Sequence, residues 1–541
     1  MKSFLENSIV VRLSVALAEA AEHSRAVAMW KRIFGREDPA AHSVYQEFLC
    51  ALQCRLERFG SVLRSSLTWA CIESAGQRLS SAGHGSRIVA PLLGVPFHRW
   101  FLLLFALYLP VEYAIRNVFH LAAVASVWEE ALIALGMMIV LVRAAMVQKH
   151  KETGRVSGGN LAQGNATEAA ILLFMAVGLL LMMLNRPFPA VALTGYRAQV
   201  QYMVWFFFIL RLLDDRKAAA VLYGAFPGTV LLMCAHGIYQ YAIGVEIPAN
   251  WVTQTEMGVR TRVFSLTGSP NIFGSLIVMA APMSAACVYY FRSIRWTVLA
   301  CFATGIACLC ILFTFSRGAW VGLVVAVIVF ALFIDRRLLA VMAAAVAGIL
   351  VAVPSITNRL TYLFTSDYAE ASAIGGRALR WQLGRDLLME NSPWLGFGLG
   401  RFGGAVAMNN QLLDETETFR YFYMDNYYLK TLVEMGYIGL FFFALLLATL
   451  VINGFRAAER SGRGFRADRR IDPLVRNSGN VRMLTTGILS GLIGVLAHCF
   501  FENIFEEPYM MAYFWGLAAL MIALGSLSES PDAVSVDDCA A

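Results

Sequence analysis

Six arginines and no lysine lie in one polar segment, residues 355–425, between two apolar stretches of the chain. Arginine carries a permanent charge on a rigid fork of N–H donors that matches phosphate oxygens. A segment with this composition predicts binding of an anionic group. The arginines are Arg359, Arg377, Arg380, Arg385, Arg401 and Arg420, and the segment ends at Asp425.

Four short stretches contain the residues best suited to chemistry. They are 260–271 with Arg262, the turn 314–320 with Arg317, the stretch 375–381 with Arg377 and Arg380 followed by 391–402, and 425–440, which opens with Asp425. Arginines at these points are suited to binding an anionic group such as a phosphate. The carboxylate of Asp425 would take the proton of an attacking hydroxyl, as glycosyl transfer from a lipid diphosphate requires.

Each of these residues also has a purely structural interpretation. Arg317 can extend toward the membrane surface or pair with a loop carboxylate. Arg377 can form a salt bridge with Asp386, Glu390 or another carboxylate of the segment. Asp425 can cap the following helix.

If 376–390 is helical, Trp381 shares a face with Arg377 and is expected to pack in the core. The glycine-rich segment 396–404 has no strand–helix context for a nucleotide, so it predicts a tight turn between two helices.

The elements that position these residues are membrane helices. The chain has 541 residues, of which 58% are hydrophobic and 15% are charged. This composition excludes an ordinary soluble enzyme and indicates a polytopic membrane protein. The sequence shows no nucleic-acid-binding module. We also expect no secretory signal peptide, because the first long apolar run begins near residue 88. We expect no metal site and no cofactor.

Twelve apolar segments predict an all-α membrane protein with about 12 transmembrane helices and a large helical extracytoplasmic loop. They are 88–109, 118–145, 168–186, 198–213, 219–243, 271–291, 296–315, 318–334, 338–354, 426–455, 483–503 and 508–527. The predicted domains are an amphipathic cytosolic extension (1–87), helices 1–9 (88–354), the catalytic loop (355–425), helices 10–12 (426–528) with the basic loop 456–482, and an acidic tail (529–541). The extension either lies on lipid headgroups or is a soluble regulatory appendage.

Positive charge indicates the orientation. With the N-terminus inside, all five cytosolic loops are basic, including the arginine-rich loop 456–482. This distribution follows the positive-inside rule and places 355–425 outside. External arginines then depart from the rule, and an anionic ligand at the outer membrane face explains them.

Three motifs together resemble the O-antigen ligase and polysaccharide polymerase superfamily. The first is the Ser316-Arg317-Gly318-Ala-Trp turn. The second is Arg377 followed by Asn-Ser-Pro-Trp-Leu-Gly-Phe-Gly-Leu-Gly. The third is Asp425-Asn-Tyr-Tyr-Leu with the downstream Glu-Met-Gly. Their order and the position of the large loop match as well, over roughly 88–527.

The resemblance implies a GT-C-type inverting glycosyltransferase that needs no metal. Its donor would be an undecaprenyl-diphosphate-linked oligosaccharide and its acceptor a glycan, lipid A core or protein. The family's diphosphate-binding arginines correspond to Arg317 and Arg377, and Arg262 and Arg380 are further candidates. Ligases usually begin the last motif with His-Asn, whereas this chain has Asp425-Asn, which is more similar to polymerases of O-antigen, capsule or exopolysaccharide.

These features predict a polysaccharide polymerase of the bacterial inner membrane, with its active loop on the periplasmic face. The expected partners are the lipid-linked donor, the acceptor, the bilayer and other polysaccharide assembly proteins. A ligase to lipid A core or protein is the first alternative. A flippase for the same lipid and a non-catalytic assembly protein are the others. A flippase usually carries charges inside its spans, whereas here they gather in one loop and at span ends.

Overall fold

The protein is described from a computed structural model. The described residues are 44–66, 74, 95–146, 148–149, 156–157, 164–184, 188–246, 261–374, 376–412, 421–471 and 480–527. Their regular secondary structure is helical apart from a two-residue antiparallel pair, Gln148–Lys149 with Val156–Ser157. The predicted all-α class is confirmed. The predicted tail 529–541 and most of the extension 1–87 lie outside the described residues.

The helices are numbered here in chain order. The first half contains α1 (Val44–Arg64), α2 (Phe97–Ala106), α3 (Tyr108–Tyr113), α4 (Ala122–Ala125), α5 (Trp128–Ala145), α6 (Ala166–Leu184), α7 (Pro189–Val200), α8 (Val204–Leu212) and α9 (Arg216–Ile243). The second half contains α10 (Pro270–Tyr290), α11 (Ile294–Phe313), α12 (Arg317–Phe333), α13 (Arg337–Ala352), α14 (Pro354–Thr361), α15 (Ser366–Ile374), α16 (Arg377–Glu390), α17 (Ala405–Asn410), α18 (Tyr427–Ile471), α19 (Val481–His498) and α20 (Pro508–Leu527).

Each of the twelve predicted apolar segments contains a helix, but the helices differ in length. Among the described residues, seven are long and apolar enough to cross a membrane: α6, α9, α10, α11, α18, α19 and α20. Helix α2 and the helical segment Tyr108–Val118, which begins with α3, would form an eighth span, bent by 72°. Helices α12 and α13 are apolar but shorter than the roughly 20 residues that a straight span requires. The count of twelve therefore stays a prediction.

Helix α19 is packed closely against two neighbours by small residues. A Cβ added at Gly491 would lie 2.6 Å from the carbonyl oxygen of Met279 in α10. A Cβ added at Gly494 would lie 2.6 Å from the carbonyl oxygen of Gly322 in α12. Small residues at such crossings let helix backbones approach each other within a membrane. The end of α19 is thereby fixed beside the beginnings of α10 and α12. We call this end of the bundle the loop end, because the segment between α13 and α18 lies there.

Helix α18 is interrupted at Gly436, whose φ of 66° lies in the left-handed region. The glycine-rich segment passes beside this break. The backbone N–H of Phe397 donates to the carbonyl of Val433 at 2.7 Å, and that of Gly398 donates to the carbonyl of Glu434 at 3.1 Å. These bonds satisfy backbone groups that the interrupted helix would otherwise leave unpaired. The hydrogen bonds made at this break therefore hold the glycine-rich segment against the helical bundle.

A buried ion network holds the same segment at its other end. The Nζ of Lys430 lies 3.2 Å from Glu434 Oε2 and 3.3 Å from Glu506 Oε2. Glu434 also accepts from the backbone N–H of Phe402 at 3.2 Å, and Glu506 accepts from that of Ala405 at 2.7 Å. One lysine thus balances two carboxylates that each bind the loop backbone. The glycine-rich segment joins α16 to α17 as a series of tight turns, which agrees with the sequence prediction.

Candidate active site

A cavity of about 1040 Å³ lies among α10, α11, α12, α13, α14 and α19 near the loop end. Most of its wall consists of aliphatic side chains from α11, α12 and α13. We call it the arginine cavity, because three guanidinium groups line its polar part. The polar and charged lining residues at the loop end are Arg262, Asn271, Ser316, Arg317, Arg377, His498 and Glu502. The cavity therefore joins a long apolar wall to a cationic end.

Arg262 precedes α10 and is held in place by the turn between α11 and α12. It is buried, its Nε donates to the carbonyl of Thr314 at 3.1 Å, and its Nη2 donates to Asn271 Oδ1 at 3.2 Å. These contacts fix the guanidinium at the cavity wall. A buried cation held this way is positioned for an anion, since its side chain need not be ordered when the ligand binds.

Arg317 is the first residue of α12. Phe315 in the preceding turn has a φ of 49°, and the Ser316 hydroxyl caps the helix by accepting from the backbone N–H of Ala319 at 3.4 Å. A Cβ added at Gly318 would lie 2.6 Å from the His498 ring. The turn therefore packs directly against α19. A side chain larger than that of glycine at position 318 would move the turn and, with it, Arg317.

Arg377 begins α16 and connects three parts of the site. Its Nε donates to Asp425 Oδ2 at 2.7 Å, and its Nη2 donates to the carbonyl of Phe501 at 2.9 Å. The other oxygen of Asp425, Oδ1, accepts from the indole N–H of Trp381 at 3.0 Å. Arg377 thus lines the cavity, whereas Asp425 contacts Arg377 but is not among the lining residues. The salt-bridge interpretation of Arg377 holds with Asp425 as the partner.

The structure contradicts the expectation for Trp381 and rules out the alternative, capping role of Asp425. Trp381 is not a core residue: 39% of it is exposed, and its indole N–H donates to Asp425. Asp425 does not cap α18. The neighbouring Asn426 takes that role, since its Oδ1 accepts from the backbone N–H of Leu429 at 3.0 Å.

Glu502 is a cavity residue that the sequence predictions did not include. It follows α19, and its Oε2 accepts a short hydrogen bond from the Asn271 amide. Burial raises the pKa of the Glu502 carboxyl to about 7, even though the Arg377 guanidinium opposes the shift. A carboxylate at the external end of a predicted span was the signal that could have identified it.

His498 ends α19 and lines the cavity next to Glu502. It is buried, and its Nδ1 lies 2.7 Å from the hydroxyl of Ser275 in α10. This contact fixes the orientation of the ring. Its position follows from the tight packing of α19 on α10 and could not be read from the spacing of residues along the chain.

The structure brings together three of the five predicted site residues in one cavity. Arg262, Arg317 and Arg377 line it. Asp425 is linked to it through Arg377. Arg380 is not in the lining; its guanidinium lies 5.6 Å from the centre of the Phe422 ring, over the ring face. A cation–π contact of this kind accounts for Arg380 without a ligand.

Comparison with known proteins gives one family match. Residues 274–444 match the family model described as O-Antigen ligase. No curated protein matches the chain. The matched range runs from the second turn of α10 into α18 and includes Arg317, Arg377 and Asp425. It confirms the resemblance to the O-antigen ligase and polymerase superfamily, and it supports an O-antigen ligase- or polymerase-type membrane protein.

Proposed function

We propose that this protein is an inverting GT-C-type glycosyltransferase that transfers a glycan from undecaprenyl diphosphate to an acceptor hydroxyl. The product would be a surface polysaccharide or exopolysaccharide. One observation carries the proposal: Arg262, Arg317 and Arg377 share a cavity whose remaining wall is mainly apolar. A lipid diphosphate matches both parts of this cavity, because it has a doubly charged head group on a hydrocarbon chain.

The arginines would act on the leaving group. Bond cleavage leaves the diphosphate with additional negative charge, and fixed guanidinium groups in a cavity with a mainly apolar wall stabilise that charge more strongly than water does. Arg262 and Arg377 are already held by hydrogen bonds, so little reorganisation accompanies the reaction. The apolar wall formed by α11, α12 and α13 would receive the polyprenyl chain.

The acceptor hydroxyl also needs a base. The sequence predicts Asp425 for this role, and its position beside Arg377 keeps it near the cationic end. The orientation would place this end of the cavity at the periplasmic face of the inner membrane, as the distribution of basic loops indicates. Ligation to lipid A core or to a protein uses the same chemical step with another acceptor.

The test is a deletion strain of the native host that is complemented with variants. We expect the deletion to remove the polymer and to accumulate undecaprenyl-diphosphate-linked oligosaccharide on the outer leaflet. Arg317→Ala and Arg377→Ala should fail to restore the polymer at normal protein levels. Arg385→Ala is the matched control in α16, because Arg385 is exposed.

Each other result would change the assignment. Donor accumulation on the inner leaflet would indicate a flippase. Loss of glycan from lipid A core alone, with polymer still made, would indicate a ligase. Normal polymer in both arginine variants would overturn the proposal.

A further inference from the structure

We propose that Glu502 is the general base of this transfer, and that Asp425 is a positioning residue that acts through Arg377. This inference rests on the glycosyltransferase function proposed above. It replaces the role that the sequence predicts for Asp425.

The first argument is access. A general base must come within hydrogen-bond distance of the hydroxyl from which it takes the proton. Glu502 lines the arginine cavity together with Arg262, Arg317 and Arg377, whereas Asp425 does not line it. A donor held by the three arginines would therefore have Glu502 beside it.

The second argument is the state of each carboxylate. Both oxygens of Asp425 accept hydrogen bonds, from Arg377 and from Trp381. Within the described part of the chain, Glu502 accepts a single hydrogen bond, from Asn271 to its Oε2. Its second oxygen is thus the better placed to receive a proton from an acceptor.

The third argument is how Asp425 and Glu502 are connected. Arg377 donates to Asp425 with Nε and to the carbonyl of Phe501 with Nη2. Phe501 directly precedes Glu502. The guanidinium of Arg377, which lines the cavity, therefore also holds the backbone next to Glu502. Asp425 fixes the angle of this guanidinium, which is the function we assign to it.

The charge environment is compatible with a base that works at neutral pH. Burial raises the pKa of the Glu502 carboxyl to about 7; Arg377 opposes this shift and the Asp425 carboxylate adds to it. The charged and titratable groups that face Glu502 or the same cavity end are Arg262, Arg317, Arg377, Asp425, His498, Cys499 and Glu507.

The proposed step balances as follows. The acceptor oxygen attacks the anomeric carbon of the donor from the face opposite the diphosphate and forms the new glycosidic bond. Its proton passes to Glu502. The bond between the anomeric carbon and the phosphate oxygen breaks, and the electron pair leaves with undecaprenyl diphosphate, whose charge the arginines stabilise. Inversion at the anomeric carbon follows from this single displacement.

The test uses the full-length protein in lipid nanodiscs and the lipid-linked oligosaccharide that accumulates in the deletion strain. Initial transfer rates are measured from pH 5.5 to 8.5. The wild-type rate should rise with pH around a midpoint near 7, because the base works only when deprotonated. Glu502→Gln should lower the rate by about 100-fold or more and remove this rise.

Three further variants separate chemistry from structure. Asp425→Asn should lower the rate but keep the rise with pH. Glu502→Asp should retain the rise at a reduced rate, and it keeps the test valid if Glu502→Gln fails to fold. Glu390→Gln, an exposed carboxylate at the end of α16, should match the wild type.

The outcomes distinguish the two proposals. An active wild type together with an active Glu502→Gln variant would overturn the assignment of Glu502 and leave the glycosyltransferase function standing. Loss of the pH rise in Asp425→Asn alone would return the base role to Asp425. A wild type that transfers nothing from its own accumulated donor would overturn the proposed function, and the role of Glu502 with it.

Discussion

Arg377 Nε lies 2.7 Å from Asp425 Oδ2, although the two residues are 48 positions apart in the chain. This bond joins the beginning of α16 to the residues before α18. It turns the guanidinium so that a second nitrogen reaches the carbonyl of Phe501. The cationic end of the arginine cavity therefore depends on the geometry of one arginine fork.

Arg377→Lys tests the importance of that fork. Lysine keeps the positive charge, but its single ammonium cannot reproduce the fixed geometry of a guanidinium that contacts Asp425 and Phe501 together. We expect glycan transfer to fall by about 100-fold, the effect of removing one preorganised donor to a developing charge. Arg385→Lys in the same helix is the control, and transfer rates in nanodiscs provide the measurement. Transfer within twofold of wild type in Arg377→Lys would show that charge alone is sufficient.

Lys430→Met tests the ion network under the glycine-rich segment. The substitution leaves the carboxylates of Glu434 and Glu506 buried without their cation. Breaking a buried ion pair in this way destabilises a protein by about 3–5 kcal/mol. We expect a large fall in the thermal unfolding temperature, with the exposed Lys217→Met as the control. An unchanged unfolding temperature would mean that solvent compensates these carboxylates.

Gly436→Ala tests the break in α18. The φ of 66° is unfavourable for alanine, and the added Cβ would lie 2.3 Å from the carbonyl oxygen of Trp394. We expect destabilisation by at least about 1 kcal/mol, because a left-handed backbone already costs that much for alanine and the contact adds to it. Gly348→Ala in α13 is the matched control, since a Cβ there meets nothing within 4 Å. Equal stability of the two variants, measured by thermal unfolding, would contradict the role of the break.

Glu507→Gln tests a second carboxyl outside the spans. Burial raises the pKa of Glu507 to about 7, and the nearby Glu506 carboxylate adds to the shift. The folded pKa lies above the unfolded value of about 4.3, so the folded state binds the proton more tightly. The resulting stabilisation is complete below the unfolded pKa and is lost as the pH rises through 7.

The variant cannot ionise, so its unfolding temperature relative to wild type should increase between pH 5 and pH 8. The same comparison for the exposed Glu390→Gln should show no such trend. A constant difference between Glu507→Gln and wild type across this range would exclude an elevated pKa at Glu507.

Much of the site's composition was predictable because it depends on local sequence. The helix considered for 376–390 is present as α16, which begins at Arg377. The positive-inside rule disfavours arginines on the external side, and the arginines found there included three residues that line the cavity. Glycines after Pro393 identified the turns between α16 and α17. Charge, apolar length and turn chemistry are properties of neighbouring residues, so the sequence records them directly.

The roles of Trp381, Asp425 and Glu502 were not predictable in the same way. A tryptophan is usually buried, so the local tendency favoured the core for Trp381. An aspartate before a helix often caps it, so the sequence left that alternative open for Asp425 beside the role of base. Glu502 belongs to the site only because α19 packs on α10 and brings it to Asn271. No spacing rule relates residues that are 231 positions apart.

The sequence by itself determined that this is a helical membrane protein with arginines concentrated around one large loop, because hydropathy and charge are sums over nearby residues. Only the tertiary structure decided which of those arginines share a cavity and which carboxylate faces it. That choice follows from the close crossings at Gly491 and Gly494 and from the break at Gly436, where backbones approach each other across long separations in the chain.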